Sequence, residues 1–483
     1  MKQGLIILLA VLMLFGLIAC GPSGSSVEST NESVSESTTE APKYLDSLED
    51  KNFNGAQVIL MTPEMWKEVL FGADEYINEA VPDMQYTCFL ALEERFEVDI
   101  MFDQLAYDKT LWNQIIGENY MAGDSAYDIL LPEGYFFGTA VPQYFYNLNN
   151  MDMISWDSPW WYDGYNDQSE IYGNRYYANG SFNMYYLRNM EAIYFNKQII
   201  EDESLEDPYQ LVADKTWTLA KMKEMAIAGK NDINGDGVID FENDRYGLAL
   251  NPWSGAGIFY SLGVQMVVGT DDGGLEIVSQ TDSFYDIYDR VYDLAYSSED
   301  AVYLEGTYNF SERQQEFMAD RLLFLAATCS AMYAFREMVT DYGIIPFPML
   351  DETQGNYISY WISGAVMCIP ANVRDAELAG YMLEALNAMW YQKVYPTFYE
   401  DLFVQKGVRD TTSTEMLDLI VETSYVDCAM IYQDAIPDYY GIFWYNGIGK
   451  GNKNFASAFA RGETMYKGYL TEMLDAYKNA LES

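Results

Sequence analysis

Short apolar runs alternate with amphipathic stretches in the first third of this chain, and this alternation constrains the fold more than any other feature. Three runs have the composition of buried strands and end at turn residues: 56–61 (AQVILM), 98–102 and 127–131 (YDILL). Two stretches between them have helical periodicity, residues 79–96 and 110–122. This rhythm predicts an α/β fold, with helices on the faces of a parallel sheet, and a second such series starts after Gly180.

Length and charge set limits on architecture and partners. The chain has 483 residues, 49% of them hydrophobic, which exceeds one ordinary domain and predicts two lobes with substantial cores. Acidic residues outnumber basic residues by 74 to 27, for a formal net charge of -47. Such a charge repels phosphate backbones and anionic membrane surfaces, which excludes nucleic acid as a partner.

The sequence contains no histidine, which narrows the chemistry that is open to it. Ser-His-Asp and Cys-His activation of a nucleophile are excluded, as are metal sites that need an imidazole. Four cysteines in the body of the chain have no CxxC spacing, so we expect small buried hydrophobic residues, with one or two disulfides as the alternative: Cys88, Cys329, Cys368 and Cys428. Aromatic residues reach 16%, including 42 tyrosines, which favours a binding cleft with aromatic walls.

The N-terminus has the layout of an export signal. Residues 5–19 are apolar and follow one lysine, and this run is shorter than the roughly 20 residues of a membrane span. Cys20 follows directly, as in a bacterial lipobox, so we predict a signal peptide over residues 1–19 and lipidation of Cys20. A plain secretory signal is the alternative. Residues 20–43 are rich in Ser, Thr and Glu and predict a flexible tether, which would leave the protein outside the cell membrane and anchored to it by lipid.

A calcium-loop pattern begins at residue 232, with the sequence DINGDGVID. Calcium takes six to eight oxygen ligands, and oxygen donors at alternate positions around a sharp glycine turn can wrap one ion. The pattern weakens at its end, where Asn243 takes the place of the usual glutamate. We predict a structural Ca²⁺ site, with a metal-free loop as the alternative. The predicted ligands are Asp232, Asn234, Asp236, the Val238 carbonyl and Asp240, and the shell is completed by Asp244, with Glu242, Asn243 or water as the alternatives.

Taken in order, several landmarks resemble one known family, the extracellular solute-binding lipoproteins of bacterial ABC importers. The resemblance is to the carbohydrate-type group, which includes maltose- and oligosaccharide-binding proteins. It rests on the lipobox and on stretches spread over residues 44–480: 54–61, 127–130, AIYFNK at 192–197, TWT at 216–218, the calcium-like loop running into YGL at 246–248, GAV at 364–366, and DAELA at 375–379.

The resemblance implies a periplasmic-binding-protein-like fold of type II, with two lobes, a hinge and a ligand cleft between the lobes. It assigns residues 44–182 and 350–400 to the first lobe, and residues 183–349 and 401–483 to the second. Crossovers between the lobes are expected near residues 179–186, 347–360 and 390–400.

The same resemblance supplies candidate ligand contacts. Sugars are bound in this family by aromatic platforms together with carboxylate, amide and arginine groups. Position in expected cleft loops selects eight residues, with core packing as the alternative for each tryptophan: Trp253, Trp361, Trp444, Trp160, Trp161, Glu133, Asn183 and Asn189. Met332 and Tyr333 fall where a cleft-lining turn is expected.

The function that follows is capture without catalysis. We expect a monomeric substrate-binding component that takes up a carbohydrate, with an oligosaccharide favoured, and delivers it to the permease subunits of an ABC transporter. The alternative is a secreted carbohydrate-active enzyme, because a glycosidase needs only two carboxylates and no histidine.

Overall fold

A computed structural model describes residues 48–278, 281–306, 310–361, 364–401 and 411–482. The predicted signal peptide, the tether and Cys20 lie outside the described residues. Within the described ranges, no helix is both long enough and apolar enough to cross a membrane.

The chain alternates strands and helices along most of its length. The strands are β1 (Ala56–Pro63), β2 (Val98–Leu105), β3 (Ile129–Leu130), β4 (Glu191–Asn196), β5 (Tyr246–Leu250), β6 (Val267–Gly269), β7 (Leu275–Ile277), β8 (Val302–Leu304), β9 (Leu322–Thr328), β10 (Tyr342–Ile345), β11 (Ser359–Tyr360) and β12 (Ser424–Tyr425).

The helices of the first half are α1 (Lys67–Phe71), α2 (Ala80–Phe96), α3 (Lys109–Ala122), α4 (Val141–Tyr144), α5 (Asp163–Ser169), α6 (Met184–Arg188), α7 (Lys197–Asp202), α8 (Pro208–Ala213), α9 (Leu219–Gly229) and α10 (Pro252–Ser261). The later helices are α11 (Asp282–Tyr296), α12 (Phe310–Met318), α13 (Met332–Phe335), α14 (Ala376–Met389), α15 (Tyr395–Tyr399), α16 (Thr411–Glu422), α17 (Cys428–Ile431), α18 (Ile442–Tyr445) and α19 (Phe455–Glu482).

The first sheet has the order β2-β1-β3 among the described residues and lies in the segment predicted to form the first lobe. Both pairings are parallel, with Ala56 opposite Val98 and Leu60 opposite Ile129. The predicted strands and the helices between them are confirmed, although β3 is shorter than predicted. All three strands therefore end at one edge of the sheet, which gathers the loops that follow them.

The second sheet, with the order β10-β4-β9-β5-β8, is mixed. β5 runs parallel to β8 and β9, whereas β4 is antiparallel to β9. Every residue of β4 and β9 is buried, as expected for strands covered on both faces. Because of these directions, the carboxyl ends of β5, β8 and β9 meet the amino end of β4 at one edge.

Helix starts follow the local sequence. Thr218 precedes α9 and its side chain accepts from the backbone N–H of Lys221, while Asp375 precedes α14 and accepts from Leu378. Such caps satisfy backbone donors that have no partner inside the helix, and each contributes about 1 kcal/mol. Both caps lie in stretches that carry the family resemblance, TWT at 216–218 and DAELA at 375–379.

Backbone bridges tie the segments between the sheets to one another. Glu133 pairs with Ala365, Ala178 with Met367, and Met190 with Trp361, all antiparallel. The C-terminal helix α19 packs against residues 138–144 and against β7. The assignment of each segment to a lobe stays a prediction.

The cysteines of the folded body are buried and unpaired. This confirms the expectation of small buried hydrophobic residues and excludes the alternative of disulfides among Cys88, Cys329, Cys368 and Cys428.

Candidate functional site

The edge where the strands of the first sheet end carries aromatic and acidic side chains. Trp66 follows β1, Tyr107 follows β2 and Glu133 follows β3. The Tyr107 hydroxyl donates to the Glu133 carboxylate at 2.8 Å and lies 2.8 Å from the Tyr135 hydroxyl. Glu133 is 3% exposed, whereas Tyr107 is 39% exposed. The group thus presents a phenol to solvent above a buried carboxylate.

Electrostatics keep this edge rich in hydrogen-bond donors. Burial raises the pKa of Tyr107 far above its usual value, and the negative charge of Glu133 raises it further. Burial, followed by the Glu133 charge, also raises the pKa of Tyr135. Both phenols therefore stay protonated at neutral pH.

A second set of aromatic contacts extends this wall toward α6. The Tyr185 ring lies 4.6 Å from the Trp66 ring, and Trp66 meets Tyr107 edge-on at 5.6 Å. Gly364 fits close to this group, because a Cβ there would lie 3.0 Å from the Tyr185 ring and 3.2 Å from the Asn189 amide nitrogen. We refer to Trp66, Tyr107, Glu133, Tyr185 and Asn189 as the first-lobe wall, after the strands that precede the first three; Tyr185 and Asn189 come from the segment predicted to begin the second lobe.

The corresponding edge of the second sheet is lined by buried polar side chains. Each of four adjacent strands contributes one, and their exposed fractions run from 0% to 8%: Glu191 at the start of β4, Asn251 after β5, Glu305 after β8 and Thr328 at the end of β9. Asn251 also caps α10 through a capping box with Ser254. Polar groups here break a core that is otherwise apolar, which marks this edge as the functional face of the sheet.

Aromatic rings flank the polar edge. The Trp253 ring stacks on Tyr440 at 6.2 Å with an interplanar angle of 17°, and the Tyr440 hydroxyl lies 3.0 Å from that of Tyr445. Trp253 is only partly buried. We call these three residues the second-lobe platform.

Arg188 connects the first-lobe wall with the segment that follows β9. It ends α6, beside the first-lobe wall, and its guanidinium lies 4.9 Å from the ring centroid of Tyr333, which follows β9. A cavity of about 390 Å³ opens next to this contact and is lined by Met65, Gln85, Arg188 and Tyr333. A larger cavity of about 570 Å³ lies between α9 and α11, but its lining includes no residue from a strand end.

Only some of the predicted ligand residues lie in the first-lobe wall or the second-lobe platform. Glu133 and Asn189 lie in the first-lobe wall and Trp253 lies in the second-lobe platform. Trp444 is buried, and its indole packs on Gly255 so closely that a Cβ there would lie 2.2 Å away. Its ring therefore supports α10, the helix that carries Trp253.

The other predicted residues pack inside the protein. Trp361 is buried against Tyr186 at 4.9 Å with near-parallel rings. Asn183 is fully buried and donates to the Ala365 carbonyl. Their contact with a ligand stays a prediction, and these contacts give each of them a packing role.

Trp160 and Trp161 also lie in the core. Both are buried, and their indole N–H groups donate to separate oxygens of Glu384 at 3.1 and 3.0 Å. This arrangement occupies the polar end of each indole. It matches the packing alternative for these two residues, and no observation tests their contact with a ligand.

Trp66, Tyr107 and Tyr185 are absent from the residues selected by sequence. The first two could have been found, because each follows a strand whose position was predicted, and residues after parallel strands collect at the ligand-facing edge. The same rule selected Glu133. Tyr185 gave no such signal, since its place depends on the path of the chain between the sheets.

The calcium-like loop is folded around its own backbone. The Asp232 carboxylate accepts from the N–H groups of Gly235 at 2.7 Å and Gly237 at 2.8 Å, and buried Asp244 accepts from Asp240 at 3.0 Å. Both glycines have a positive φ, as the turn requires. Backbone N–H groups donate in the same way to side-chain oxygens of the other predicted ligands Asn234, Asp236 and Asp240. The donor to Asp236 is the N–H of Val238.

The carboxylates of this loop are not gathered around one point. In the part of the chain that the structure describes, no group of three or more Asp, Glu, Cys or His side chains is placed to hold a metal ion. As placed, these residues do not form a calcium shell.

Comparison with solved structures establishes the fold. The chain is similar to the GacH receptor of Streptomyces glaucescens, studied unliganded and with acarbose, at 13% identity and a TM-score of 0.52, covering 89% of this chain and 99% of that one. It is also similar to UspC of Mycobacterium tuberculosis, at 11% identity and a TM-score of 0.56, covering 86% and 100%.

A third similar structure is UgpB of Mycobacterium tuberculosis in complex with glycerophosphocholine, at 14% identity and a TM-score of 0.53, covering 87% of this chain and 99% of that one. No protein-family model matches the sequence, and no curated protein matches it either. The fold is therefore the two-lobed α/β architecture of type II periplasmic binding proteins, as the sequence predicted.

Proposed function

We propose that this protein is the substrate-binding component of an ABC transporter, which captures a carbohydrate between its two lobes and delivers it to a membrane permease. The observation that carries the proposal is the first-lobe wall, where the ends of three parallel strands bring together an indole, a phenol and a buried carboxylate. The similar structures support it, since one of them was studied with acarbose.

The chemistry of the two sides suits a sugar. The apolar faces of sugar rings lose water readily against flat aromatic rings, such as the partly buried indole of Trp253. The Trp66 indole is 2% exposed and packs against the rings of Tyr107 and Tyr185. Sugar hydroxyls then need partners, because an unpaired hydroxyl costs about 1–3 kcal/mol. Tyr107, Glu133 and Asn189 supply donors and acceptors on the first-lobe side.

Capture by such a site is a shift between open and closed states. A ligand that contacts both lobes binds the closed state more tightly, so it stabilises closure by its difference in affinity for the two states. A permease that recognises the closed shape then responds to the bound ligand and not to the empty protein.

The location and partners belong to the same proposal. We infer an extracytoplasmic protein, anchored to the cell membrane by lipid on Cys20 and working as a monomer with its permease. The acidic surface agrees with this location, because a strong net charge keeps a tethered protein soluble and away from anionic lipid. Palmitate labelling and its loss in C20A test the anchor.

Calcium at residues 232–244 is kept as a prediction from the sequence. The loop has the glycine turn and oxygen side chains that Ca²⁺ requires, and the carboxylates of Asp232 and Asp244 accept hydrogen bonds from backbone amides of the same loop. The expected role is to stiffen a surface loop rather than to switch the protein.

The proposed function is tested by a thermal-shift screen of the mature protein against monosaccharides, oligosaccharides, polyols and amino acids. We expect a rise in melting temperature with one class of carbohydrate, because a ligand that binds only the folded state stabilises it. Chromatography of the incubated sugars separates this function from the enzymatic alternative, which releases products.

A further inference from the structure

Whereas Glu305 on the polar edge of the second sheet is paired with Arg313, Glu191 on the same edge has no such partner among the described residues. It is 0% exposed, and neither carboxyl oxygen has a hydrogen-bond partner among the described residues. Native structures satisfy most buried polar side chains, and an unpaired carboxyl is among the costliest exceptions. A residue kept in this state has a function that offsets its cost.

The positive charge that acts on Glu191 is that of Arg313, which is already paired with Glu305. Arg313 is 1% exposed, forms a salt bridge with Glu305 at 2.5 Å and donates to the Ala326 carbonyl at 2.9 Å. Its charge reaches Glu191, but burial has the larger effect and raises the pKa of Glu191 to about 8. At neutral pH the carboxyl group is therefore largely protonated, with one donor and one acceptor.

Two further unpaired polar atoms lie on the segment beside Glu191. The Met190–Trp361 bridge places residues 360 and 361 next to the start of β4. The Tyr360 hydroxyl and the Trp361 indole nitrogen are both buried without a hydrogen-bond partner among the described residues. Burial raises the pKa of Tyr360, and the neighbouring Tyr445 and Asp427 raise it further, so its hydroxyl keeps its proton.

We propose that Glu191 forms the floor of the ligand site, where its carboxyl group hydrogen-bonds to hydroxyl groups of the bound carbohydrate. The inference rests on the proposed function and specifies the residue that reads the sugar from the second sheet. Glu191 stands at the functional edge of that sheet, two residues beyond Asn189 of the first-lobe wall. A protonated carboxyl suits a hydroxyl, since each group both donates and accepts.

The test separates binding from stability. Replacing Glu191 with methionine (E191M) removes an unpaired carboxyl and leaves Arg313 paired with Glu305. The ligand-free variant is expected to melt a few degrees higher than the wild type, because the cost of burying the carboxyl disappears. E384M is the matched control, since both oxygens of Glu384 are bonded by indoles, and it is expected to melt lower.

Binding is then measured by calorimetry with a panel of neutral malto-, cello- and xylo-oligosaccharides. We expect E191M to lose about tenfold or more in affinity for the sugar that the wild type binds, and E191Q, which keeps a donor and an acceptor, to lose much less. A wild-type protein that binds no sugar overturns the proposed function. Wild-type affinity in E191M, or a lower melting temperature without ligand, overturns the role of Glu191.

Discussion

Tyr107 and Glu133 join the ends of the two outer strands of the first sheet. The phenol after β2 donates to the carboxylate after β3 across 2.8 Å, with β1 between these strands. Because Glu133 accepts this hydrogen bond inside the protein, the orientation of its carboxylate at the edge of the sheet is fixed. The pair thus sets the geometry of the first-lobe wall before any ligand arrives.

Removing the Tyr107 hydroxyl is expected to weaken ligand binding and to change stability little. Y107F keeps the ring contacts with Trp66 but removes the hydrogen bond to Glu133, so we expect a loss of about three- to tenfold in affinity, the value of one ordinary hydrogen bond. Calorimetry measures it. Y296F is the control, because Tyr296 ends α11 and bonds to the Ile448 carbonyl, and it should bind as the wild type does.

An added methyl group at Gly364 is expected to disturb the same wall from its other side. The new Cβ lies 3.0 Å from the Tyr185 ring and 3.2 Å from the Asn189 amide, so both side chains must move by a few tenths of an ångström. We predict that G364A folds but binds several-fold more weakly.

G468A is the matched glycine variant, since nothing lies within 4 Å of a Cβ at that position in α19. It should bind normally and be slightly more stable, because alanine favours a helix over glycine by about 1 kcal/mol. Equal affinities for G364A and G468A would show that Gly364 does not shape the site.

Stability should fall as the pH rises from about 4.5 to 7, in part because of Glu384. Burial raises the pKa of Glu384 to about 7, although bonds from Trp161 and Trp160 oppose the rise. In the unfolded chain this glutamate ionises near its usual pKa of about 4.3, so the unfolded state loses its proton first and is stabilised relative to the folded state, by up to about 3–4 kcal/mol.

The contribution is measured by urea unfolding at pH 5 and pH 8. E384Q cannot ionise, so the fall in the free energy of unfolding between the two pH values should be smaller than in the wild type. The variant is also expected to be less stable at pH 5, since an amide offers only one acceptor to two indole donors. An unchanged pH dependence would rule out this role for Glu384.

Calcium is expected to raise the melting temperature of chelator-treated protein, if the loop at residues 232–244 binds it. The double variant D232N/D240N should abolish the rise, whereas D152N, at an exposed aspartate outside the loop, should retain it. Equal melting curves in calcium and in chelator would refute the metal site and leave a loop held by side-chain bonds to its own backbone.

Much of the fold could be predicted from local patterns. The positions of β1, β2 and α2 follow from the apolar periodicity of contiguous residues, which can be recognised without knowledge of the tertiary structure. The second sheet was harder, since β4 is antiparallel to β9, and partners more than 100 residues apart leave no local signal.

The site was only partly predictable. Glu133 followed from its place after a strand, but Trp160 and Trp161 look the same in sequence as cleft tryptophans. Their burial depends on Glu384, more than 200 residues away, which supplies the acceptor that their indoles need. Whether a tryptophan lies in the core or lines a cleft is decided by such tertiary contacts, which the sequence alone does not show.

The central claim is that two lobes clamp a carbohydrate and release it unaltered. Titration calorimetry of the mature protein with the oligosaccharide panel, followed by mass spectrometry of the recovered sugar, tests it most directly. We predict saturable binding of one sugar molecule per chain and recovery of the sugar intact. Absence of heat with every carbohydrate, or recovery of cleaved sugar, would contradict the account.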